Sequence, residues 1–142
     1  MKLNHKAVLT AVIVQQILGF IWYHPSFFGK LWMNGMVQPI ARNAGNLPFV
    51  AAIFCSISFC YLLSWMFQIA VIEDWQRGLT LGLMVGVGFL APNISMHYMF
   101  MNIDSVMTLI DAGHDIVASG LAGIILATFR AERDPEAEIE GA

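Results

Sequence analysis

Four long apolar runs, separated by short polar stretches, organise this chain. Ala7 to Gly29, Asn43 to Ile72 and Gly78 to Ile103 contain no Asp, Glu, Lys or Arg. Each exceeds the roughly 20 residues that a helix needs to cross the hydrocarbon core of a bilayer. The fourth run is shorter: only 14 uncharged residues, Ile116 to Phe129, lie between Asp115 and Arg130. A fourth span must therefore reach back through Asp111, Gly113, His114 and Asp115. The pattern predicts an all-α integral membrane four-helix bundle with spans at about 7–23, 47–72, 79–101 and 107–129. These form one transmembrane domain, residues 1–130, followed by an acidic, flexible tail at 131–142.

The joints between the runs carry their own signals. Trp22 and Tyr23 end the first run, as aromatic residues do at a membrane interface. Phe27, Phe28, Leu31 and Trp32 then fall on one face of a short helix beside Lys30, a pattern suited to lying in the interface. Asn46 is placed to cap the second span, with Pro48 in its first turn. Glu73 to Arg77 forms a short polar hairpin that makes spans two and three antiparallel neighbours. Asp104 falls in the last connection, as a solvated residue.

Charge adds orientation. Lys2, Lys6, Arg77, Arg130 and Arg133 share one side, against Lys30 and Arg42 on the other, which predicts both termini on the cytoplasmic side. Ile21 to Pro25 are bulky where a signal peptidase needs small residues, so the first span is expected to stay uncleaved. Hydrophobic content of 58% and charged content of 12% exclude an ordinary soluble domain. The expected partners are the lipid bilayer and a second membrane protein or another copy of the chain, with no nucleic acid. Cys55 and Cys60 sit five residues apart in one span, pointing about 140° away from each other. They imply neither a disulfide framework nor a metal pair.

Gly82 and Gly86 form a Gly-xxx-Gly pair in the third span. On a regular α-helix Asn93 and His97 fall within about 60° of them. On the fourth span, Ala118, Ser119 and Ala122 continue the face of Asp111, His114 and Asp115 as a stripe of small residues. Two such faces predict a close contact between spans three and four. Pro92 removes one backbone hydrogen bond and predicts a kink, its freed carbonyl satisfied by Asn93 or by Ser56 or Ser58 of the second span. Gln16, midway along the first span, predicts an inward hydrogen bond to another helix.

Depth gathers the ionisable groups. At about 1.5 Å per residue from the inner ends of their spans, His24 and His97 both stand roughly 27 Å up. Asp115, His114 and Asp111 stand at roughly 22, 24 and 28 Å by the same rise. An ionisable group at membrane depth is a functional candidate. Three readings fit one layer of this kind. His24, His97, His114 and Asp111 have the chemistry of a divalent metal shell. The same groups with Asp115 suit a proton-accepting cluster, with Asn93 as a further polar candidate of the site. Equal depth without mutual contact leaves them wet and unconnected at the outer interface. His97, at the polar end of the glycine face, is the expected partner for Asp115. No cofactor is predicted, since no motif for one is present, and a divalent metal is the one ion these side chains would suit.

The stretch Gly19 to Met33, reading Gly-Phe-Ile-Trp-Tyr-His-Pro-Ser-Phe-Phe-Gly-Lys-Leu-Trp-Met, resembles the N-terminal signature of the family called domain of unknown function 1761. Asp111 to Val117, with Gly120 to Ile125, resembles its closing helix, and His97 to Phe100 an element before the last connection. The resemblance implies a four-helix bacterial membrane protein and brings no activity with it. His24 stands where that family usually has serine, Asp111 where it has asparagine, and His114-Asp115 where it has Tyr-His.

No nucleotide loop, nucleophile elbow or zinc-protease helix appears. The expected function is a small non-enzymatic membrane protein that works by helix association, as a homo-oligomer or accessory subunit. The alternative is a carrier or sensor that binds a cation or proton through the His/Asp layer.

Overall fold

A computed structural model of the protein describes residues 3–35, 45–72 and 74–129. The acidic tail expected at 131–142 lies outside them, as do Lys2, Arg42, Arg130 and Arg133 of the charge asymmetry. The described residues form α1 (His5–Trp22), α2 (Gly29–Asn34), α3 (Leu47–Ile69), α4 (Trp75–Val85), a π-helical segment (Gly86–Leu90), α5 (Ala91–Phe100) and α6 (Ser105–Thr128), with no strand among them. From α4 to α5 the chain runs on as one helix, Trp75–Phe100, and this helix, α1, α3 and α6 are each long and apolar enough to cross a membrane. The protein is a small, all-α membrane protein.

Helix ends follow local chemistry. The Asn4 side chain caps α1, accepting from the N–H groups of Lys6 at 3.1 Å and Ala7 at 3.2 Å. Its amide also donates to the carbonyl of Phe129, so α1 begins where α6 ends, at one end of the bundle, here called proximal. Asp74 caps α4 through the N–H of Arg77 at 2.8 Å. Asp104 is not merely solvated: it caps α6, accepting from the N–H of Val106 at 2.7 Å. Asn46 stands at the N-cap of α3, but its side chain makes no capping bond.

Both α3 and α5 close in a Schellman motif, with a residue of positive φ just past the end. At α3 the N–H of Ile72 reaches the carbonyl of Phe67 at 3.0 Å, around Val71. At α5 the N–H of Ile103 reaches the carbonyl of Tyr98 at 2.9 Å, around Asn102. Asparagine tolerates its φ of 54°, whereas 52° is uncommon for a β-branched residue such as Val71. Burial of Ile72 beside Phe67 in the core offsets that strain.

α6 is the centre of the bundle, with 50% of its apolar window buried against 11% for α3. On one side it meets α4 along a glycine-backed seam. A Cβ placed on Gly82 would overlap the backbone of Ser119, and one on Gly86 would lie 2.8 Å from the Cα of Ile116. Gly78 continues the seam, where an added Cβ would stand 2.5 Å from that of Ala127, and Gly123 lies directly against Gly78. Only glycine permits backbones this close. On its other side α6 meets α1 and α3. There Ala7, Ala11, Cys60, Leu63, Phe67, Ala122 and Leu126 form the core, all in the proximal half.

Among the described residues neither Asn93 nor a serine of the second span bonds the third span at Pro92. Ser58 bonds its own helix at Phe54, and Ser56 accepts from Gln16. Instead the helix widens into the π segment just before the proline, and the N–H of Ala91 donates to the carbonyl of Gly86, five residues back. This wider turn takes up one extra residue. Beyond it, every position lies one residue later than on a regular helix.

Candidate functional site

Asp111 lies in the second turn of α6 and is only 5% exposed. Its Oδ1 accepts from the Tyr23 hydroxyl at 2.7 Å and its Oδ2 from the Tyr98 hydroxyl at 2.8 Å. Tyr23 directly follows α1 and Tyr98 belongs to α5, so three spans meet on one carboxylate. A hydrogen-bond donor on each oxygen offsets much of the cost of burying the group. Neighbours hold the donors in place. Trp22 donates its Nε1–H to the carbonyl of Ile110 at 3.0 Å. Trp32 of α2 stands edge-on to the Tyr23 ring, with centroids 5.2 Å apart.

One turn further along α6, His114 and Asp115 face a different space. A cleft of about 710 Å³ opens between the second half of α1, the first half of α3, α6 and Leu90 of the π segment. Phe20, Phe49 and Phe59 supply apolar walls, and Gln15, Gln16 and Ser56 supply polar ones. Gln16 donates to Ser56 Oγ at 2.8 Å, which ties α1 to α3. Gln15 accepts from the Cys60 thiol at 3.6 Å. His114 Nδ1 lies 3.3 Å from Asp115 Oδ1, while its Nε2 is buried against Gly19 with no hydrogen-bond partner among the described residues.

The layer expected from depth counting is thus divided. His24, His114 and Asp115 line the cleft. Asp111 is held by the two tyrosines. His97 and Asn93 are exposed and outside both arrangements. Asp115 pairs with its chain neighbour His114, not with His97. Among the described residues no three His, Cys, Asp or Glu side chains form a group able to hold a metal ion, so His24, His97, His114 and Asp111 do not assemble into one shell. Ser119, fully buried, carries the contact with Gly82 and Gly86, whereas Ala122 faces the core with α1 and α3. Ala118 borders the cleft.

Tyr23 and Tyr98 are the functional residues that pattern reading passes over. Each is adjacent in sequence to a histidine of the depth layer, so each stands at the right height. The π segment decides which neighbour is used. The one-residue shift turns His97 off the seam and puts Tyr98 in its place, a rotation of about 100°.

The family model described as Protein of unknown function (DUF1761) matches residues 6–127. The chain belongs to this family. All four apolar helices, the Asp111 carboxylate with its tyrosines and the whole lining of the cleft lie essentially within that range of the DUF1761 protein. No curated protein and no solved structure matches the chain.

Proposed function

We propose that this DUF1761 protein is a non-enzymatic binding protein of the membrane, a carrier or sensor, that takes its ligand into the cleft between α1, α3 and α6. The observation that carries this reading is the cleft itself. Its volume lies in the range of sites for small organic molecules, and a few polar groups converge on an otherwise apolar lining. Cys55 lines the cleft and Cys60 is buried, so one thiol reports on occupancy. The full chain in lipid nanodiscs is alkylated with monobromobimane in the presence of neutral, cationic and anionic aromatic compounds. Slowed modification of Cys55 by at least one class is expected. Unchanged rates with all three would defeat the reading.

A second reading, association with another copy or another membrane protein, draws on α3, which exposes Phe49, Phe54, Leu62 and Trp65 around its circumference. It gains nothing from the small-residue faces, which meet each other within one chain. Light scattering in detergent with cross-linking through cysteines on α3 tests it. A strictly monomeric particle without cross-links would end it. For orientation the proposal keeps both termini cytoplasmic in an inner membrane. The start of α1 beside the end of α6 supports one side for both, and protease accessibility of the tail in inverted and right-side-out vesicles would decide which side it is.

A further inference from the structure

The two carboxylates of α6 are treated differently by their surroundings. Asp111 has a tyrosine hydroxyl on each oxygen. Asp115, one turn away, keeps its side chain 34% exposed, and among the described residues its carboxylate meets only the His114 ring, at 3.3 Å. Its Oδ2 has no hydrogen-bond partner there. A carboxylate at membrane depth is costly unless it is paired or hydrogen-bonded, so this one lacks a partner on its open side.

The open side is the cleft. Asp115 is the one carboxylate among the lining residues, and no Lys or Arg joins it. His24, His114, the Tyr23 phenol and the Cys55 thiol are the other titratable groups that line the space. The walls include the rings of Phe20, Phe49 and Phe59, whose faces carry partial negative charge and attract organic cations. The cleft is far larger than a bare ion needs, and it gathers no metal-holding group of side chains. An anion would meet the Asp115 charge with nothing of opposite fixed sign to offset it.

We infer that the ligand of this cleft is a lipophilic organic cation, its charge set against Asp115 and its apolar body among Phe20, Phe49 and Phe59. The inference rests on the reading that the cleft binds a ligand, and it adds the ligand's charge and class. Such a molecule partitions into a bilayer, and Phe20 and Phe49 of the lining are exposed on the outside of the bundle.

The test uses two probes of nearly the same shape and opposite charge, tetraphenylphosphonium and tetraphenylborate. Their binding to the full chain in phosphatidylcholine nanodiscs is measured by equilibrium dialysis, with empty discs subtracted. Saturable phosphonium binding is expected, favoured over borate by about tenfold or more, as for a partly desolvated ion pair. Asp115→Asn is expected to abolish that preference and Asp115→Glu to restore it. Ala52→Trp, which fills the cleft from α3, is expected to remove binding altogether. Variants count once thermal unfolding shows the bundle intact. Equal binding of both probes, lost in Ala52→Trp, would leave the cleft as a binding site and overturn the charge assignment. Phosphonium binding that survives Asp115→Asn unchanged would also overturn it. Saturable binding of neither probe would overturn it too, and with no slowing of Cys55 modification by any class of compound the cleft reading falls as well.

Discussion

The proximal and distal halves of the bundle use the same helices to opposite ends. In the proximal half α1, α3 and α6 approach closely, because Ala7, Ala11, Cys60 and Ala122 are small where they face one another. In the distal half α1 stays against α6 through Gly19, Trp22 and Tyr23, and the cleft opens between this pair and α3. There Phe20, Phe49 and Phe59 stand at its walls, and the Gln16–Ser56 hydrogen bond holds α1 and α3 in register without closing the gap. The seam between α4 and α6 has no such division, since glycine recurs along it from Gly78 to Gly86. Stability and binding are therefore assigned to different regions. The glycine seam and the proximal core hold the fold, and the distal space is left open at the cost of apolar contacts that could have filled it.

Replacements that attack the closed side should have the largest effect. Gly82→Leu places a side chain where even a Cβ meets the Ser119 backbone, and is expected to cost on the order of 3 kcal/mol. Gly88→Leu, on the same helix but with nothing within 4 Å of an added Cβ, is expected to be nearly neutral. Thermal unfolding in detergent compares the two, and similar losses would show that the seam is not what holds the third span. Asp111→Ala leaves the Tyr23 and Tyr98 hydroxyls without their acceptor and is expected to cost about 2 kcal/mol. Tyr23→Phe and Tyr98→Phe should each cost less, and a double-mutant cycle should show them coupled through the shared carboxylate. Additive losses would mean that the three groups do not act as one unit.

The smallest effect sharpens the contrast between the halves. Ala11→Leu enlarges a fully buried position in the proximal core and is expected to destabilise by about 1–2 kcal/mol. Ala52→Leu adds the same atoms to the wall of the cleft and is expected to change stability by less than about 0.5 kcal/mol. Equal costs at the two sites would erase the division between halves.

Much of this architecture is legible in the sequence, because a bilayer imposes simple arithmetic on it. The four spans follow from charge-free length, but the short hairpin at 73–77 does not make spans two and three neighbours: α4 packs along α6 and not along α3, because its glycines allow a closer approach there. The height of each ionisable residue follows from the rise per residue. Azimuth is harder to read, and the candidate site depends on it. Counting 100° per residue aligns Asn93 and His97 with Gly82 and Gly86, which holds only while the helix stays α-helical. Pro92 announces a disturbance without saying whether the helix will bend or widen. The cap at Asp104 could have been found, since an Asp immediately ahead of a long apolar run is a recognised start signal. The cleft could not, because it records where α3 draws away from α1 and α6.

The π segment also sets the register of everything beyond it. A helix that gains a single residue without breaking accommodates it as this kind of wide turn, so Gly86–Leu90 has the form of a one-residue insertion kept in place. Removing Gly88, whose surroundings are open, would return the span to an ordinary α-helix. Everything after the deletion would turn back by about 100°. Tyr98 would swing away from Asp111 and the histidine before it would take its place, exchanging a phenol that holds the carboxylate for an imidazole that can trade protons with it.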